Sequence, residues 1–125
     1  MSSFLLVGMG GAIGAMARHG ANIAIGSLPN GFPAATFLVN VAGSLAMGLL
    51  VGWLAQATPQ YQQEIRLFLA IGVFGGFTTF SSFSLDTINL IERGDYLLAV
   101  AYVAGSVLLA VGGLIIGLWT MRVLA

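Results

Sequence analysis

Four long apolar stretches, residues 4–25, 34–55, 67–85 and 97–121, take up most of this 125-residue chain and decide what it can fold into. Each comes close to the roughly 20 mostly apolar residues that carry a helix across a hydrocarbon core. The expected architecture is an all-α membrane protein with four transmembrane helices in a single domain over residues 1–125, both termini on one side. The connections at residues 27–33, 56–64 and 86–96 are short and carry Pro, Gly or charge, as loops do.

Composition supports this class and closes others. The chain is 58% hydrophobic and 6% charged, whereas soluble domains carry roughly 25% charged residues. Its formal net charge is zero, with no basic cluster, so no nucleic-acid partner is expected. There is no cysteine, hence no disulfide framework or thiolate metal site, and His19 alone cannot form a histidine metal cluster. The N-terminus lacks the basic n-region of a secretory signal, so the first stretch is expected to be kept as a span.

Charge placement bears on orientation. Arg66, Arg122 and the amino terminus lie on one expected side, against Arg93 and Arg18 on the other. An excess of Lys and Arg in cytoplasmic loops sets orientation. A nearly balanced chain is therefore expected to insert both ways up, so that inverted copies can assemble about an axis in the membrane plane.

Every stretch also carries a small-xxx-small pair that permits close helix approach: Gly10 and Gly14, Gly48 and Gly52, Gly72 and Gly76, Gly113 and Gly117. The third stretch stands apart, because GVFGGFTTFSSFS (residues 72–84) sets two adjacent glycines before a run of hydroxyl and phenyl residues. Each glycine weakens a helix by about 1 kcal/mol relative to alanine. A break is expected at Gly75 and Gly76, and the carbonyls it frees must face protein, water or an ion, because lipid offers them no partner.

Polar residues elsewhere fall on faces. Thr36, Asn40 and Ser44 recur at i, i+4, i+8 on the second stretch. Asn40 is open to two readings: a hydrogen bond between helices, or an amide donating to a passing anion. Tyr102 and Ser106 form a shorter hydroxyl strip on the fourth stretch. Phe80 and Phe83 share a face of the third, with Thr78, Ser81 and Ser82 beside them; the rings serve either as packing or as positive ring edges turned towards an anion. Arg18, inside the first stretch, is read as snorkelling to the interface, as raising the potential at a pore mouth, or as bonding loop carbonyls. No Asp or Glu falls within the apolar part of a stretch; Asp86, at the end of the third, comes nearest, which disfavours proton coupling through an embedded carboxylate.

Three segments, GGAIGAMAR (residues 10–18), FLVNVAGSLAMG (37–48) and GVFGGFTTFSSFS (72–84), resemble the signature segments of the fluoride-specific ion channel family, Fluc or CrcB. The resemblance runs through all four stretches in order. It implies an antiparallel dual-topology homodimer in a prokaryotic plasma (inner) membrane, surrounded by lipid, with two fluoride pores and no catalysis. It also implies a central structural sodium ion, Na+, held by main-chain carbonyls at positions matching Gly75 and Thr78. The pore residues of the family match Asn40, Phe80, Phe83, Ser81, Ser82, Tyr102 and Ser106, with Arg18 at a pore mouth or in a structural role. Ala110 stands where some members carry a hydroxyl, and His19 where a tyrosine is usual. The competing class, a small dual-topology multidrug-type proton antiporter, calls for a carboxylate in the first stretch, and none is there. A second competitor is a non-catalytic subunit of a larger membrane complex.

Overall fold

The computed structural model describes residues 2–124, which contain helices, turns and no β-strand. Helix α1 spans Ser3–Ala24 and α2 spans Ala34–Ala57. The third stretch begins with α3 (Gln62–Ile65), winds into a π-helical segment (Arg66–Phe74) and tightens again in α4 (Gly75–Phe77). After an interruption it resumes as α5 (Phe80–Glu92), and α6 (Tyr96–Leu124) completes the chain.

Local chemistry explains the ends. Helix α2 stops where Thr58 turns left-handed, at φ 42° and ψ 58°, with Pro59 next in sequence. Between α1 and α2 the chain doubles back through Gly31, at φ +90°, against which the Arg93 guanidinium lies. Arg93 donates to the Asn30 carbonyl at 3.3 Å and pairs with Asp95, tying this loop to the turn before α6.

Packing is of backbone on backbone. Helix α1 lies along the π-helical segment and α4, with Gly10 against Phe68 and Gly72 and Gly14 against Val73 and Phe77. Helix α2 lies along α6, where Gly48 meets the Leu114 carbonyl and Gly117 meets Leu45 and Leu49. Of the eight glycines in the four pairs, only Gly113 leaves room for a side chain, since a Cβ added there would stand at an ordinary 3.6 Å from the Val41 carbonyl oxygen. Lipid tails are as apolar as leucine, so such close approach, rather than a hydrophobic driving force, holds membrane helices together. A small core of Leu90, Ala99 and Tyr102, packed by Phe32, Phe37, Phe83 and Leu98, joins α5 to α6 and to the start of α2.

Among the described residues, three helical stretches, Ala34–Ala57, Gln62–Glu92 and Tyr96–Leu124, are long and apolar enough to cross a membrane. The first expected span is a helix of nearly the expected extent, but Arg18, His19, Asn22 and its glycines dilute its apolar character, and it is not among the three.

Two expectations are corrected. Gly75 and Gly76 remain helical; the interruption falls at Thr78 and Thr79, whose backbones are extended at φ −81°, ψ 159° and φ −152°, ψ 125°. Asp86 does not end the third stretch either, because α5 continues to Glu92 and leaves Asp86 part-buried inside it.

Candidate functional site

The interruption is built by side chains. Asn40, on α2, accepts the Thr79 N–H on Oδ1 at 2.8 Å and donates through Nδ2 to the Thr79 carbonyl at 3.0 Å. Both polar groups of one extended residue are thus met by a single amide, as burial demands. Thr79 in turn starts α5 as its N-cap, its Oγ1 accepting the Ser82 N–H at 3.1 Å. Thr78 closes the preceding turn, both its N–H and its Oγ1 donating to the Phe74 carbonyl, at 3.0 and 2.9 Å. Gly43 leaves room for the Thr78 methyl against α2; a Cβ there would overlap it.

Beside the break lies an open cleft of about 300 Å³. Asn40 and Ser44 of α2, Thr78 and Thr79 of the break, Phe80 and Phe83 of α5, and Ser106 and Ala110 of α6 line it. Phe80 stands on the outer side, 79% exposed, with its ring centroid 5.8 Å from that of Phe83. Ser106 is 5% exposed, and its Oγ is buried without a hydrogen-bond partner. Among the described residues, no charged side chain lines the cleft.

Five of the expected site residues, Asn40, Thr78, Phe80, Phe83 and Ser106, therefore share one cleft. Tyr102 does not line it. The ring is fully buried, 5.1 Å from Phe83 between centroids, and its hydroxyl donates to Asp86 Oδ2 at 3.0 Å. Ser81 and Ser82 also lie off the lining: Ser81 Oγ is 3.4 Å from Thr79 Oγ1, and Ser82 is held by its main chain. Arg18 is half-buried on α1 and apart from the cleft. Gly75 borders the break from the helical side, where an added Cβ would make only an ordinary 3.7 Å contact with the Ala70 carbonyl oxygen.

Thr79 was absent from the expected set, although a threonine directly before a resumed helix is an N-cap signal. The cleft wall also includes Ser44, which the i, i+4 spacing from Asn40 had put on the right face.

A fit for a cation can be tested on the main chain. In a continuous helix the carbonyls of Gly75 and Thr78 would accept from the amides of Thr79 and Ser82. Those two amides donate to Asn40 Oδ1 and Thr79 Oγ1 instead. Two neutral oxygens stripped of their helical donors suit a hard cation.

Residues 5–118 match the family described as CrcB-like protein, Camphor Resistance (CrcB). The fluoride-specific ion channel FluC of Hyphomonas neptunium is 56% identical over 123 residues, covering 98% of this chain and 97% of that protein. The proteins of the same name from Paracoccus denitrificans and Rhodospirillum centenum are 50% and 51% identical, over 96% and 98% of this chain and 94% and 97% of theirs. With a family match over most of its length and relatives at half identity or better over nearly the whole chain, the chain belongs to the CrcB-like family of fluoride-specific ion channels, a family of channels and not of enzymes.

Proposed function

We propose that the chain is a fluoride-selective channel that lets fluoride leave the cell passively across the plasma membrane. In this reading two inverted copies form a homodimer with two anion paths and one central sodium ion. Ser106 carries the reading. A buried hydroxyl without an acceptor costs roughly 1–3 kcal/mol, and an anion resting in the cleft would accept its proton and offset that cost.

The rest of the lining suits a small anion. Phe80 and Phe83 can present the positive edges of their rings, and Asn40 keeps one amide hydrogen beyond the one given to Thr79. Donors and ring edges without a fixed charge hold an ion weakly, which conduction requires. One copy leaves the cleft open and Phe80 exposed; a second copy set against that side would close the path.

The same pairing would bring the Gly75 and Thr78 carbonyls of two copies towards one axis, giving a cation four oxygens where one copy offers two. When bound, the cation supplies a positive field that lowers the cost of dehydrating fluoride nearby. Balanced arginine placement supports insertion in both orientations.

The test is efflux from liposomes holding the purified chain. Fluoride should leave at a rate that chloride does not approach; equal rates for the two anions would remove the selectivity claim.

A further inference from the structure

The sodium reading rests on two carbonyls that are open for one kind of reason: in each case a side-chain oxygen holds the amide that would otherwise close the helix. Asn40 Oδ1 takes the Thr79 N–H from Gly75, and Thr79 Oγ1 takes the Ser82 N–H from Thr78. Asn40 also fixes the Thr79 carbonyl through Nδ2, so the extended residue is held on both sides. Neither side chain need touch the cation to govern it. The Asn40 amide lines the anion cleft as well, so one side chain stands between the two ion sites.

We propose that Asn40 and Thr79 are positioning residues for the cation, keeping the Gly75 and Thr78 carbonyls open, and that Asn40 couples cation affinity to the anion cleft. The inference rests on the sodium reading above. Without Asn40 Oδ1 the Thr79 N–H has the Gly75 carbonyl as its nearest alternative along the helix, and without Thr79 Oγ1 the Ser82 N–H has that of Thr78. Either return competes with the cation for the same lone pairs.

Thermal unfolding of the full-length chain in detergent, with sodium titrated against a bulky organic cation at constant ionic strength, gives a sodium midpoint separate from baseline stability. Asn40→Ala and Thr79→Val should each raise that midpoint about tenfold, the loss expected when one buried hydrogen bond is redirected. Thr79→Ser, which keeps the hydroxyl, should retain the wild-type midpoint. A purely structural role would lower the melting temperature and leave the midpoint in place, and that result overturns the proposal. If Asn40→Ala does not fold, the contrast between Thr79→Val and Thr79→Ser decides it: equal midpoints for the two overturn it. A wild-type protein whose melting temperature ignores sodium would instead sink the sodium reading itself, and this inference with it.

Discussion

Asn40 on α2 and Thr79 in the third stretch, 39 residues apart in sequence, exchange two hydrogen bonds of 2.8 and 3.0 Å, amide to backbone. This exchange fixes where the third stretch breaks and which of its main-chain groups are left open. Replacing Asn40 by Ala strands the Thr79 carbonyl, at about 1–3 kcal/mol for a buried group left unbonded, and leaves the Thr79 N–H only the Gly75 carbonyl to turn to. We expect a lower unfolding midpoint in detergent and fluoride efflux reduced at least tenfold. Efflux at the wild-type rate would return Asn40 to the role of a plain bond between helices.

Ser106 gives a sharper separation of packing from conduction. Its hydroxyl has no partner, so Ser106→Ala removes an unmet polar atom and should leave stability unchanged or raise it by up to about 1 kcal/mol. Fluoride efflux should nonetheless fall. A stabilised variant with full efflux would show that the hydroxyl plays no part in the path.

The phenyl rings should divide by burial. Phe80 is 79% exposed, so Phe80→Ile should change the stability of one copy by no more than about 0.5 kcal/mol. Phe83 packs on Tyr102, and Phe83→Ile should cost about 1–3 kcal/mol. Both should depress fluoride efflux while the oligomer size in detergent stays the same; undiminished efflux in both would make the rings packing alone.

Two glycines of α1 test the close approach of that helix. A Cβ at Gly14 would overlap the Val73 carbonyl and lie 2.7 Å from the Phe77 N, whereas a Cβ at Gly8 meets nothing within 4 Å. Gly14→Ala should destabilise the fold by about 1–3 kcal/mol or more, since rigid backbone must move. Gly8→Ala should be neutral or stabilising by up to about 1 kcal/mol through helix propensity. Similar melting temperatures for the two would contradict the packing of α1 on the third stretch.

Much of this was legible in the sequence because apolar length and i, i+4 spacing are local signals. They placed α2, α6 and the faces bearing Asn40, Ser44 and Ser106. The break was foreseen but set at Gly75 and Gly76, because glycine propensity reads as a weak point when neighbours are unknown. In the fold Gly72 and Gly76 serve the contact with Gly10 and Gly11, and the chain opens three residues past Gly75 because Asn40 reaches it from another helix. Asp86 shows the same limit. Its carboxylate looked like a helix end, whereas within α5 it accepts a hydrogen bond from the Tyr102 hydroxyl on α6. Spacing and the family resemblance set Tyr102, Ser81 and Ser82 beside Asn40 and Ser106, whereas in the fold the Tyr102 hydroxyl is engaged by Asp86, Ser81 Oγ lies beside Thr79 Oγ1, and none of the three lines the cleft.

The account depends on the cleft beside the break becoming an anion path when a second, inverted copy covers it. An experimental structure of the chain in lipid, grown with fluoride, tests this most directly. It should show two oppositely oriented copies with fluoride at about 2.6–3.0 Å from Ser106 Oγ, ordinary distances for a strong acceptor. Copies all in one orientation, or a cleft facing lipid with the Ser106 hydroxyl bonded back to its own helix, would contradict it.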